Sequence, residues 1–121
     1  MITRVFVYGT LKRGMRNAHY LKGQHFLGEA TTKPAYRMVS LGWYPGVVAD
    51  SENGRPIQGE VWEINDVCKE RLDVLEGVDL GEYEAVHAKL EPPFDRSVVW
   101  MYLYSLDVSL ALDAGENWKD P

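Results

Sequence analysis

The run Val5-Phe6-Val7-Tyr8-Gly9-Thr10-Leu11 constrains this chain more than any other stretch, because it reads as a core strand that stops abruptly at a glycine. Ile2, Val5, Phe6 and Val7 supply the β-branched and aromatic series of a buried strand. Gly9 opens backbone angles closed to other residues and permits a close approach to the main chain. A bend at the end of a strand also leaves several N–H groups unpaired and facing one way, which suits a carboxylate or a developing oxyanion.

The rest of the chain is organised around further short strands. Residues 14–22 suit a short helix or ordered loop. Residues 24–33 read as a strand broken by Gly28 and ended before Pro34, and 35–41 as a second, with Tyr36, Met38 and Val39. Gly42-Trp43-Tyr44-Pro45-Gly46 is a dense turn signal before Val47-Val48-Ala49, and 50–54 reads as a surface loop. Residues 57–64 return to a strand. The period then changes: Val67, Cys68, Leu72 and Leu75 recur at helical spacing, with Asn65 or Asp66 as a cap and Gly77 where a helix-ending glycine belongs. Residues 82–90 and 96–105 alternate again and read as a hairpin joined through Pro92-Pro93. Both faces of 98–104 are apolar, so that strand is expected to be central or covered twice. About six strands and one clear helix over 1–121 predict a single α+β domain built on a curled sheet or small barrel. Trp43, Tyr44, Trp62, Trp100 and Tyr102 are expected mostly to pack its interior.

Composition narrows the function. A net charge of −5 argues against nucleic acid, which demands a concentrated basic face. Lys12, Arg13 and Arg16 are expected at the solvated start of a helix. No apolar run approaches the roughly 20 residues that span a bilayer, and the immediate entry into a strand leaves no room for a signal peptide. The single cysteine, Cys68, allows no internal disulfide, consistent with a reducing cytoplasm, and is read as a small buried hydrophobe. His19, His25 and His87 lack metal-ligand spacing, so no metal is assigned. No phosphate-binding glycine motif and no serine or cysteine triad is present.

A carboxylate with backbone donors is what remains for catalysis, with no cofactor. Glu76 ends the predicted helix 66–75, at the unfavourable end of its macrodipole. Enclosure by the sheet would add to that effect and raise its pKa towards the value of a general base working near neutrality. Glu82, ahead of Tyr83 at a strand start, is the rival. Asp73 and Asp79 read as helix-surface and loop charges.

The segment Phe6 to Gly14 with Asn17 and Tyr20-Leu21, followed by Phe26-Leu27-Gly28, Tyr44-Pro45-Gly46, Gly59-Glu60-Val61, Leu72-Asp73-Val74-Leu75-Glu76-Gly77, Tyr83 and Trp100-Met101-Tyr102, resembles the gamma-glutamylcyclotransferase-like family, also described as avirulence-induced-gene-like. The ending Gly115-Glu116-Asn117-Trp118 is similar too. The resemblance implies a small mixed β-barrel with flanking helices and a cavity at the Tyr-Gly-Thr-Leu turn. It implies an enzyme that cyclises a γ-glutamyl group to 5-oxoproline and releases an amine. Glu76 would move the proton, while Tyr8, Gly9, Thr10, Leu11 and Tyr83 would bind the small γ-glutamyl substrate. An arginine frequent in the family is replaced by Ala85, and Asp79 and Glu82 make the 76–83 loop acidic. A non-catalytic binding domain using the same cavity is therefore the alternative. Oligomeric state is not readable from the sequence.

Overall fold

Val5, Phe6 and Val7 are all buried, which a strand achieves only if both of its faces are covered. The computed structural model, which describes residues 1–121, shows how. The strands are β1 (Thr3–Val7), β2 (His25–Thr31), β3 (Tyr36–Ser40), β4 (Pro45–Ala49), β5 (Gln58–Ile64), β6 (Tyr83–His87), β7 (Trp100–Tyr104) and β8 (Leu112–Gly115), with helix α1 (Asp66–Leu75) between β5 and β6. One sheet has the order β2-β5-β1-β7-β6 and the other β4-β3-β8. At the centre, β1 runs antiparallel to β5, from Thr3 opposite Ile64 to Val7 opposite Glu60, and parallel to β7 at Val5 opposite Trp100.

The alternation of side chains along β1 divides the core in two. Phe6 packs with Tyr36, Met38, Val47, Ile57 and Met101, so the second sheet covers its face. Val5 and Val7 pack with Leu21, Trp62, Ile64, Cys68, Leu72 and Tyr102, so α1 covers the other. The α+β class and the mixed pairing agree with the sequence. The sheet does not close into a single barrel, because β3 and β4 leave it to pair with each other and with β8 while β2 and β6 remain its two edges.

The local signals worked where they were chemical. The Asn65 side chain accepts a hydrogen bond from Cys68 N at 2.9 Å, capping α1. Gly77 takes the left-handed conformation, φ 63°, that ends it. Cys68 and Leu72, four apart, form the buried stripe, whereas Val67 is exposed. Strand β7 lies between β1 and β6, as its apolar faces require. Strands β6 and β7 pair antiparallel from Tyr83 opposite Tyr104 to His87 opposite Trp100.

Three expectations are corrected. Trp62 and Tyr102 are buried, but Trp43 and Tyr44 are 63% and 42% exposed, because their turn projects beyond the β3–β4 hairpin. No helix starts at Lys12. That side chain is buried, and its Nζ donates to Asn117 Oδ1 at 2.7 Å and to the Trp118 carbonyl at 2.8 Å. Arg13 lies over the Phe26 ring and pairs with Glu60, while Arg16 lies over the Trp43 ring. The third concerns the chain after β7, where the sequence signalled no element. It forms β8 and then buries Trp118, whose indole N–H donates to Asp120 at 2.9 Å.

Candidate active site

Where β1 ends, the chain turns through Tyr8, Gly9, Thr10 and Leu11. Lys12 N donates to the Gly9 carbonyl and Asn17 N to the Thr10 carbonyl, while the Asn17 amide donates to Thr10 Oγ1 at 3.0 Å. The N–H groups of Gly9, Thr10 and Leu11 donate no backbone hydrogen bond. Gly9 is needed here for close approach and not for a positive φ. A Cβ at this position would lie 2.6 Å from Pro45 Cγ, so the start of β4 presses directly on the turn.

Glu76 arrives from the opposite side, at the C-terminal end of α1. Gly77 and Gly81, with φ of 63° and 74°, bracket a single 3-10 turn, Val78–Leu80. Glu82 N then donates back to the Gly77 carbonyl at 3.1 Å. This tight return sets the Glu82 carboxylate against Gly77, where an added Cβ would lie 3.0 Å from Glu82 Cδ. Burial, and secondarily the charge of Glu82, push the Glu76 pKa up to about 7.

A cavity of about 270 Å³ joins these parts. All the residues singled out in the sequence line it: Tyr8, Gly9, Thr10 and Leu11 on one side, Glu76, Glu82 and Tyr83 on the other. Arg16, Asn17, Trp43, Tyr44, Pro45 and Tyr102 also line it. Of these, Asn17, Tyr102 and the dense 42–46 turn belong to motifs singled out in the sequence, whereas Arg16 was read there only as part of a solvated basic cluster. Ala85 packs beside the cluster around Trp62 and Leu72 and does not line the cavity.

The phenols are already committed as donors. Tyr8 OH donates to the Tyr102 carbonyl at 2.6 Å, Tyr83 OH to the Pro45 carbonyl at 2.8 Å, and Tyr102 OH to Asp73 Oδ1 at 2.7 Å. Asp73 is thus a latch between α1 and β7 and not a plain surface charge. Burial raises the pKa of all three phenols, and the Glu76 charge adds to the effect. These three stay neutral, with oxygen lone pairs to offer and no proton to spare, so an anion in the cavity draws on other donors, the turn amides among them. Burial also raises the Cys68 thiol, whose Sγ contacts the Tyr20 carbonyl at 3.5 Å, as befits an inert core position. His19, His25 and His87 lie on separate elements. No group of His, Cys, Asp and Glu suited to hold a metal is assembled.

The family model described as gamma-glutamyl cyclotransferase, AIG2-like, matches residues 5–120. The chain belongs to this family. A Vibrio cholerae protein named provisionally as a gamma-glutamylcyclotransferase is 40% identical over 112 residues, covering 93% of this chain and 92% of that one. Escherichia coli YtfP, named as a gamma-glutamylcyclotransferase family protein, is 34% identical over 118 residues, 97% of this chain and 96% of its own. The solution structure of E. coli YtfP superposes with a TM-score of 0.70 at 30% identity, covering 96% of this gamma-glutamyl cyclotransferase-like chain and 95% of YtfP. A uropathogenic E. coli-specific protein shares the fold, with a TM-score of 0.78 at 24% identity over 93% and 87% of the two chains.

Proposed function

We propose that this single-domain chain is a gamma-glutamylcyclotransferase that converts the γ-glutamyl group of a small γ-glutamyl amine or peptide to 5-oxoproline, releasing the amine without a cofactor. The observation that carries this reading is one carboxylate with a pKa near 7 in the same cavity as the unpaired amides of Gly9, Thr10 and Leu11. At neutral pH a large share of Glu76 is ionised and can take a proton from the substrate ammonium. The freed α-amine then attacks the γ-carbonyl within the same molecule, a reaction in which holding the two groups together removes much of the barrier. The amides of the Tyr8–Leu11 turn receive the oxyanion or the substrate carboxylate. Collapse of the tetrahedral intermediate breaks the bond to the leaving amine, which takes the proton held by Glu76, and the carboxylate so freed takes the second proton from the ring nitrogen. The new C–N bond closes the 5-oxoproline ring.

The tyrosine oxygens of Tyr8 and Tyr83 suit this sequence of charges. They can accept from an ammonium but have no free proton with which to quench the attacking amine. No helix is long and apolar enough to cross a membrane. The proposed location is the cytoplasm, where small γ-glutamyl compounds and a reduced Cys68 would coexist.

The test is 5-oxoproline formation from a panel of γ-glutamyl amides. Turnover abolished in Glu76→Gln supports the assignment. Turnover that survives in Glu76→Gln but is lost in Glu82→Gln moves the base to Glu82. Calorimetric binding with no product in the wild type leaves a binding domain in place of an enzyme.

A further inference from the structure

The Glu76 carboxylate lines the cavity, yet no group of the protein hydrogen-bonds to it. Its place is therefore set by the helix end that carries it. Glu76 N donates to the Leu72 carbonyl at 2.9 Å, so the acid moves with the last turn of α1. One side-chain hydrogen bond fastens that turn to the sheet. Asp73, three residues before Glu76, accepts from the Tyr102 hydroxyl at 2.7 Å. The other side-chain bonds of α1 reach the N-terminus, the Tyr20 carbonyl or α1 itself. Lys69 Nζ, one turn earlier, donates to both Asp73 oxygens at 2.8 and 2.7 Å and fixes the orientation of that carboxylate.

Tyr102 is buried and is bonded on its other side as well. Its carbonyl accepts from Tyr8 OH at 2.6 Å, and Tyr8 opens the turn that carries the unpaired amides. One residue of β7 thus holds the helix of the acid with its hydroxyl and the donor turn with its main chain. We infer that Asp73 and Tyr102 are positioning residues, whose hydrogen bond holds the end of α1 so that Glu76 faces the Tyr8–Leu11 amides across the cavity. This rests on the cyclotransferase reading above. Neither residue moves a proton in the reaction: the Tyr102 proton is spent on Asp73, and the Asp73 oxygens are spent on Tyr102 and Lys69. A phenol bonded to a carboxylate makes a short, strong tie of fixed length. Its effect is on distance, and a reacting group misplaced by about 1 Å loses on the order of a hundredfold in rate.

The experiment measures kcat and KM on the γ-glutamyl amide panel and follows the Glu76 carboxyl carbon by NMR across pH. The variants are Asp73→Ala, Asp73→Asn, Tyr102→Phe and the combination of Asp73→Ala with Tyr102→Phe. Asp73→Asn keeps an oxygen for the Tyr102 proton, and Tyr102→Phe keeps the ring and the acceptor of Tyr8. In Asp73→Ala and Tyr102→Phe, kcat is expected to fall about 10- to 100-fold, with KM changed by less than about twofold. The combined variant is no worse than either single one, because each removes the same bond. Asp73→Asn recovers most of the rate. Glu82 still faces Glu76 in every variant, and the phenols of Tyr8 and Tyr83 stay neutral. The Glu76 titration therefore moves down from about 7 only where the loosened helix end lets water reach it, in Asp73→Ala and Tyr102→Phe, and holds in Asp73→Asn. A bond with a structural role alone would lower the melting temperature and leave kcat and the titration of the folded protein unchanged. That result overturns the inference and leaves the cyclotransferase reading standing. If Asp73→Ala does not fold, Tyr102→Phe decides. A wild type without turnover, whose Glu76 titration still falls in Tyr102→Phe, removes the cyclotransferase reading and keeps the positioning of Glu76. No turnover and an unmoved titration sink both.

Discussion

The Glu82 carboxylate lies against Gly77, across the turn that Gly77 and Gly81 build, and its charge adds to burial in raising the pKa of Glu76 six positions before it. Removing one charge should retune the other. In Glu82→Gln the pKa of Glu76 falls from about 7 but stays above its ordinary 4.5, because burial is the larger cause. The acidic limb of the pH dependence of kcat/KM for 5-oxoproline formation should accordingly move to lower pH. A limb that does not move would mean that Glu76 is not the group being titrated.

Glu76 should also cost stability at neutral and alkaline pH. Between its ordinary 4.5 and about 7 the folded chain keeps a proton on Glu76 that the unfolded chain has lost, so stability falls as pH rises through that interval. Glu76→Gln removes this titration. It should be more stable than wild type above pH ~7, by up to about 3 kcal/mol, with the gap closing as pH falls towards ~4.5. Urea denaturation of both proteins across that range measures it.

Gly9→Ala tests the packing of the turn. The new Cβ would lie 2.6 Å from Pro45 Cγ, inside a proline ring that cannot swing aside. The expected loss is about 1–3 kcal/mol of stability, with a further drop in kcat as the turn amides shift. Thermal unfolding and single-turnover rates separate the two effects.

Lys12→Met keeps the apolar stem of the side chain but leaves Asn117 Oδ1 and the Trp118 carbonyl without their donor. Loss of a buried partner of this kind should cost about 1–3 kcal/mol by denaturant titration. The same variant should loosen the segment after Trp118, seen as faster amide exchange at Arg16, whose N–H is bonded to Asp120.

The strands and the helix were legible because their signals are local: the alternation in 98–104, the Asn65 cap and the Gly77 stop each act within a few residues. Tyr8–Leu11 and Glu76 were singled out because a glycine bend and a helix-ending acid are visible one at a time, and their joint place on one cavity follows from β1 and α1 packing together through Val5, Val7 and Leu72. Contacts closed across the whole sequence were not legible. Nothing near Lys12 announces that Trp118 will cover it, and nothing near Asp73 announces the Tyr102 hydroxyl. Trp43 and Tyr44 misled for a related reason. Aromatic residues are read as core, yet a cavity mouth also exposes them. The expected curled sheet or small barrel takes the form of two unclosed sheets, and the alternation within β3 and β4 does not say which sheet will take them.

The parallel pairing of β1 with β7 joins two distant parts of the sequence. Val5 meets Trp100 only when nearly the whole chain has been gathered, and such distant closures are slow to form. The bend that follows β1 is therefore held by contacts that exist only where distant parts of the sequence have been joined. A compound that fits the finished pocket would bind the completed fold alone, so its affinity would appear directly as an upward shift in melting temperature.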